Sequence, residues 1–129
     1  MSGAQVPGGL VPGQIIRAVV PDPAGRNPKP RPLVLLTGDD DTPPDAPLIA
    51  VAISGTLPKP LPDHYVLLPW HRAGQRQTGL KKKCAAVCNW FAKVDRSESV
   101  QVMGRVPDPQ FAEIRQKVQA VHEQQSQQP

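Results

Sequence analysis

The stretch that decides the fold reads Lys29-Pro30-Arg31-Pro32-Leu33-Val34-Leu35-Leu36-Thr37. Its first four residues form a basic approach stiffened by proline, and the remaining five are typical of a buried β-strand. Pro30 and Pro32 restrict their own φ angles and push the residues before them toward extended conformations. The sequence therefore predicts that Arg31 is presented in a defined direction at the mouth of a strand.

Arg31 is the first candidate for a functional side chain. Its planar guanidinium keeps its charge near neutral pH and can hold a phosphate through two hydrogen bonds. An edge-strand arginine in solvent is the simpler interpretation of these nine residues taken alone. The choice between a phosphate-binding and a solvent-exposed arginine therefore depends on the rest of the chain.

Length and composition predict one small domain. The chain has 129 residues, which is enough for a core, but 17 are proline and only 4% are aromatic. Prolines spread through a chain forbid long helices and favour short strands with abrupt turns. A compact, mainly β domain fits these constraints best.

The charge is modestly positive and segregated along the chain, with a net value of +4. Segregated basic charge favours a polyanionic partner such as nucleic acid, although such a charge also simply aids solubility. The acidic cluster comprises Asp39, Asp40, Asp41 and Asp45. The basic clusters comprise Arg26, Lys29, Arg31, Arg72, Arg76, Lys81, Lys82 and Lys83.

The sequence predicts a cytoplasmic protein without a membrane segment. No apolar run approaches the roughly 20 residues needed to span a bilayer, and the N-terminus lacks the pattern of a signal peptide. Two cysteines are too few for a secreted disulfide scaffold.

Periodicity divides the chain into an arm, a barrel domain and a tail. We expect a flexible arm over residues 1–12, a domain over 13–123 and a disordered tail over 124–129. Asp108 can cap a final helix over 109–123, because the apolar residues from Phe111 to Val121 recur at helical spacing. The predicted strands cover residues 14–20, 33–37, 48–54, 64–68, 84–95 and 99–104. Residues 38–47 are expected to form a mobile acidic connection, and 70–83 a basic loop.

Cysteines and histidines suggest no metal or cofactor. On a strand, Cys84 and Cys88 would be about 13 Å apart, beyond the reach of a disulfide. We expect both to be buried, reduced thiols. His64, His71 and His122 share no metal-binding spacing.

Short motifs in a fixed order along the chain resemble the MazF/PemK family of toxins from type II toxin–antitoxin systems. The resemblance extends from Gly13 to about Val121. The matching pieces are Gly13-Gln14-Ile15, Arg31-Pro32 before Leu33-Val34-Leu35, Ala52-Ile53-Ser54, Thr78-Gly79-Leu80-Lys81-Lys82, Lys93-Val94-Asp95 and Met103-Gly104-Arg105-Val106.

The resemblance implies a small SH3-like β-barrel with a C-terminal helix, usually a homodimer, that cuts single-stranded RNA without metal. It implies that Arg31 and Ser54 are catalytic, because they stand where the family has its arginine and its threonine. Ser54-Gly55-Thr56 is either a simple turn or a contact for a phosphate oxygen. A disordered, acidic cognate antitoxin would silence such a toxin. The side chains predicted to bind RNA are Lys29, Thr56, His71, Lys81 and Lys82.

Three positions depart from the family pattern. Many members carry an arginine and an aspartate where this chain has Val87 and Asn89, and a further arginine where it has Ala92. Valine cannot stabilise a phosphorane, and neutral asparagine cannot act as a carboxylate base. The alternative interpretation is therefore a catalytically silent barrel that binds nucleic acid or protein.

Overall fold

The computed structural model describes residues 9–95 and 100–127. Within them, six strands form one antiparallel sheet in the order β4-β5-β3-β2-β1-β6, followed by a single α-helix. This confirms the predicted mainly β architecture with a C-terminal helix. The elements are β1 (Gln14–Val20), β2 (Lys29–Leu35), β3 (Leu48–Ser54), β4 (Tyr65–Leu67), β5 (Ala85–Val94), β6 (Gln101–Arg105) and α1 (Asp108–Gln127).

The strand β2 begins four residues earlier than predicted, so the proline-rich approach is itself part of the sheet. Pro30 and Pro32 pair with β1, opposite Val19 and Arg17. The described pairs of β2 with β3 begin only at Leu33. Proline can lie in a strand where no neighbour requires its missing N–H. The two prolines therefore occupy the half of β2 that has a partner on one side alone.

Both faces of the central strands are buried. Val34 packs on the face that the helix covers through Ile114, which has no exposed surface, and through Phe111. Leu33 and Leu35 pack on the opposite face with apolar residues of β1, β3 and β5. This explains why the apolar residues of β3 show no alternating pattern, because the strand is buried on both sides.

A register shift interrupts the pairing of β3 with β5. Val51 pairs with Phe91, whereas Ile53 pairs with Ala86. Two steps along β3 thus correspond to five along β5, and three extra residues of β5 lie between these pairs. A bulge of this kind bends its strand and redirects side chains. The shift falls where β5 also pairs with β4, through Val87 and Tyr65.

The basic loop 70–83 is attached to β6 at a close backbone crossing. Thr78 is fully buried, and its hydroxyl donates to the Pro69 carbonyl at 2.9 Å and accepts from the Leu80 N–H at 3.1 Å. Gly79 has a φ of +75°, and a Cβ there would lie 2.5 Å from the Met103 carbonyl oxygen. Only glycine suits this crossing, which holds the loop against the sheet.

The chain termini differ from the sequence-based expectation. The helix continues to Gln127, four residues beyond the predicted end at 123. The predicted arm lies largely outside the described residues, which begin at 9, and so do positions 128 and 129 of the predicted tail. Leu10 exchanges hydrogen bonds with Asp39, so the acidic connection expected to be mobile is tied to the start of the domain.

Two further findings concern cysteines and membranes. Cys84 and Cys88 are buried and form no disulfide, as predicted. Within the described ranges, no helix is long and apolar enough to cross a membrane.

We predict that Gly79→Ala destabilises the protein by on the order of 3 kcal/mol. The substitution combines an unfavourable positive φ with a clash against the Met103 carbonyl. Gly25→Ala is the matched control, because Gly25 also has a positive φ but nothing within 4 Å of a Cβ. It should cost only about 1 kcal/mol. Urea unfolding of both variants measures the difference, and equal losses would contradict the close crossing.

We also predict that Cys88 is inert in the native protein. Burial raises the pKa of its thiol to about 11, from an ordinary 9.0. At pH 8 a soluble thiol reagent should modify the folded protein about a hundred-fold more slowly than the unfolded chain. Because the folded-state pKa is raised, the free energy of unfolding should fall as pH rises from 9 toward 11. Rapid modification of the folded protein at Cys88, located by mass spectrometry, would refute its burial.

Candidate functional site

Arg31 is held rigidly at the start of β2. Its Nε donates to the Val20 carbonyl at 3.1 Å, and its Nη2 donates to the Asn27 carbonyl at 3.0 Å. The guanidinium carbon lies 5.3 Å from the centroid of the Trp90 ring, within the range of a cation–π contact. Among the described contacts, three of the five N–H groups of the guanidinium keep no protein partner. They can still hold two oxygens of one phosphate.

The loop between β1 and β2 is organised around Asp22. Its Oδ1 accepts hydrogen bonds from the N–H groups of Ala24 and Arg26 at 3.0 and 2.9 Å, and its Oδ2 accepts from the Asn27 side chain at 3.1 Å. The hydrogen bond from the Arg26 N–H lowers the pKa of the Asp22 carboxyl below its ordinary value. The loop thereby places the Asn27 carbonyl that receives Arg31.

Ser54 stands at the same end of the sheet as Arg31. Leu33 pairs with Ala52 in antiparallel register, and Arg31 and Ser54 lie two residues beyond this last pair on their respective strands. The Ser54 hydroxyl accepts from the Thr56 N–H at 3.0 Å and donates to the Thr56 carbonyl at 3.3 Å. The hydroxyl therefore closes a tight turn at the end of β3.

Lys82 lies against this turn. A Cβ on Gly55 would be 3.4 Å from Cε and 3.7 Å from Nζ of Lys82, so the ammonium group sits beside the turn. The preceding Lys81 reaches a different turn, where its Cε would be 3.9 Å from a Cβ on Gly74. The consecutive residues Lys81 and Lys82 thus place positive charge beside two different turns, one at Gly74 and one at Gly55.

His71 belongs to the second of these turns. Its carbonyl accepts from the Gly74 N–H at 2.7 Å, and its Nδ1 accepts from the Ala73 N–H at 3.1 Å. A neutral ring that accepts at Nδ1 carries its proton on Nε2, from which it can donate. Lys29 is exposed and lies two residues before Arg31 on β2, so the two side chains leave the same face of the strand.

The three departures from the family pattern lie in different environments. Val87 and Ala92 are buried, at 5% and 8% exposure, and contribute no polar group. Asn89 is exposed and lies in the segment of β5 that the register shift leaves out of β3 pairing. The ring of the neighbouring Trp90 makes the cation–π contact with the Arg31 guanidinium.

An open pocket of about 460 Å³ lies between the β1–β2 loop and this segment of β5. Its polar lining includes Asp22, Asn89 and Lys93, and Trp90 forms part of its wall. Sequence reasoning missed Asp22, Trp90 and Lys93, because the pocket forms between the β1–β2 loop and a strand distant in sequence. The one local signal was an aspartate followed by Gly25 between prolines, which is typical of a side-chain-organised turn.

Solved structures provide the comparison that decides the fold. MazF (Form-I) from Deinococcus radiodurans is 15% identical, with a TM-score of 0.64 over 88% of this chain and 96% of that one. The chain has the MazF fold. The MazE–MazF (Form-III) structure from the same organism gives 18% identity and a TM-score of 0.65, over 88% and 95% of the two chains. Neither a family model nor a curated protein matches the sequence.

The MazF fold confirms the SH3-like barrel with a C-terminal helix that the sequence predicted. It also shows that the resemblance rests on more than short motifs, because the likeness spans nearly the whole of both chains. At this level of identity, the roles of individual side chains have to be argued from their own contacts.

We predict that Asp22 titrates below its ordinary pKa of 3.8 and that the β1–β2 loop loosens with its protonation. Because the folded-state pKa is lowered, the ordered loop should persist above this value and be lost as pH falls through the lowered pKa. NMR titration of the Ala24 and Arg26 amides measures both effects. Asp22→Ala should accelerate hydrogen exchange at these amides, whereas the exposed control Asp45→Ala should not. Titration of Asp22 above 3.8 would contradict the loop geometry.

Proposed function

We propose that this protein is a toxin of a type II toxin–antitoxin system, acting as a metal-independent endoribonuclease on specific sequences of single-stranded RNA. The observation that carries the proposal is the placement of Arg31 on a MazF fold, with free N–H groups and at the same end of the sheet as Ser54. Such an arrangement suits one phosphate group bound between the ends of two adjacent strands.

The proposed reaction uses the ribose 2′-OH as the nucleophile. The 2′-oxygen forms a bond to phosphorus and loses its proton, while the bond from phosphorus to the 5′-oxygen breaks and that oxygen gains a proton. Charge accumulates on the phosphoryl oxygens in the transition state, where preorganised donors are most effective. Arg31 fits this role, because two backbone carbonyls hold its guanidinium in place before RNA binds.

Ser54 contributes by shaping the turn that follows β3. Its hydroxyl fixes the Thr56 backbone, and Lys82 brings an ammonium group to the same turn. We assign Ser54 to positioning the scissile phosphate, and Lys82 to neutralising its charge. Because Val87 and Asn89 cannot transfer the protons, we assign that task to His71, Lys81 or Lys82 of the basic loop.

The remaining basic side chains would bind RNA through its phosphates. Lys29 is exposed on β2, two residues before Arg31, and Lys81 is exposed in the basic loop. Thr56 and His71 are exposed on the two turns. Contacts of this kind release counterions, so RNA affinity should fall steeply with salt.

The proposal includes protein partners. The solved MazE–MazF structures contain the MazF of Deinococcus radiodurans together with MazE. By analogy we propose a cognate antitoxin with a disordered acidic segment that covers the basic surface of this chain. We further propose a homodimer, a functional unit over residues 13–123, and action in the cytoplasm, where transcripts are translated.

Cleavage of a long single-stranded RNA in the presence of a chelator, with sequencing of the cut ends, tests the activity. We expect discrete cuts by the wild type and a loss of about 10²–10³-fold in rate for Arg31→Ala. Arg31→Lys should recover part of this loss, since it restores the charge without the planar fork. Arg115→Ala is the matched control, because that arginine also contacts an aromatic ring, Phe111, but on the helix.

Two results would contradict the proposal. Undiminished cleavage by purified, folded Arg31→Ala would refute the assigned role of Arg31. Intact RNA with the wild type, together with normal growth of cells in which it is induced, would refute the ribonuclease. Induction in cells matters because it presents many transcripts and therefore many candidate recognition sequences.

A further inference from the structure

We propose that the pocket between the β1–β2 loop and β5 binds a nucleobase and that Asn89 determines which base is accepted. The inference rests on the proposed function, because it assigns this pocket to the nucleotide next to the phosphate held by Arg31. It concerns sequence specificity, which neither the fold nor the placement of Arg31 decides.

Trp90 joins the pocket to the phosphate position. Its ring lies under the Arg31 guanidinium, with the centroid 5.3 Å from the guanidinium carbon, and it also forms part of the pocket wall. A phosphate on the free N–H groups of Arg31 would therefore be separated from the pocket by the Trp90 ring. Base and phosphate of a single nucleotide are separated by a comparable distance, with the ribose between them.

The charges in the pocket favour an uncharged ligand. Asp22 is kept anionic by the hydrogen bonds that lower its pKa, and Lys93 is the cation of the lining. One charge of each sign leaves no excess positive potential for a second phosphate, and the Asp22 carboxylate repels one. A neutral, flat and polar-edged group is the part of a nucleotide that suits these walls.

Asn89 has the chemistry to read the edge of a base. Its amide offers a donor and an acceptor side by side, and paired contacts of this type discriminate between bases. The side chain is exposed, and within the described part of the chain it makes no hydrogen bond. Trp90 supplies an aromatic surface, which is the usual companion of edge contacts to unstacked RNA bases.

The size of the pocket agrees with this ligand. Its volume of about 460 Å³ lies within the range of roughly 300–1,000 Å³ typical of small-molecule sites. Asn89 and Trp90, which line it, lie in the segment of β5 that the register shift leaves out of pairing with β3. The position that holds an aspartate in many MazF-like sequences thus holds a neutral amide, Asn89, which can form hydrogen bonds with the edge of a base.

A binding experiment tests the pocket without any need for cleavage. Trp70→Phe leaves Trp90 as the single tryptophan of the chain, whose fluorescence reports ligands at the pocket. We expect the four nucleoside 5′-monophosphates to change the emission with different dissociation constants, and Asn89→Ala to reduce the largest difference by about tenfold. Gln101→Ala removes an exposed amide from β6 and should leave the differences intact.

Cleavage of a random RNA pool provides the second readout. Asn89→Ala should broaden the base preference at one position beside the cut, while Arg31→Ala should lower the rate at every sequence. If the wild type cuts no RNA but binds the monophosphates through Asn89, the ribonuclease fails and the pocket stands. If Asn89→Ala leaves the cut-site profile unchanged, or inorganic phosphate alone reproduces the whole fluorescence change, the nucleobase pocket is overturned.

Discussion

The antiparallel register of β2 against its two neighbours is the constraint on which the rest of the structure depends. Leu33 and Leu35 pack into one half of the core and Val34 into the other, so a slip by one residue would exchange the two sets of side chains. The same register directs Arg31 and Ser54 to the same end of the β2–β3 pair, beyond the last paired residues Leu33 and Ala52. Burial of apolar side chains and placement of the candidate site are therefore consequences of one alignment.

The prolines of β2 connect this alignment to the site. They pair with β1 but precede the described pairing with β3, so the backbone beside Arg31 remains open where the two strands would otherwise close. An ordinary strand residue there would expose an unpaired N–H, whereas Pro30 and Pro32 have none. The guanidinium is then oriented by the Val20 and Asn27 carbonyls, and a rigidly held donor loses little entropy when it binds an anion.

Local pattern was sufficient for most of the fold. The β-branched runs predicted the strands, helical spacing predicted α1, and the hydroxyl of Ser54 marked the end of β3. The predicted start of β2 was four residues too late, because the prolines were interpreted as an extended approach to the strand and their tolerance within it depends on a neighbouring strand. Trp90 and Asp22 were missed for a similar reason. Trp90 reaches Arg31 from β5, beside a three-residue offset that no local spacing encodes, and Asp22 acts through the fold of its own loop, which presents the Asn27 carbonyl to Arg31.

The proposed chemistry divides between two parts of the chain. The half around Arg31 offers anion-binding donors and, in Asn89, a neutral amide, so it can hold the transition state but cannot accept a proton from the ribose. Groups that can exchange protons come from the basic loop, through His71 and the two lysines that follow Leu80. Because that loop is attached to β6 by the hydrogen bond from the Arg105 N–H to the Gln77 carbonyl and by the close crossing at Gly79, its position relative to Arg31 depends on the sheet itself. Catalysis by this protein would then require the intact barrel rather than a mobile loop that closes on bound RNA.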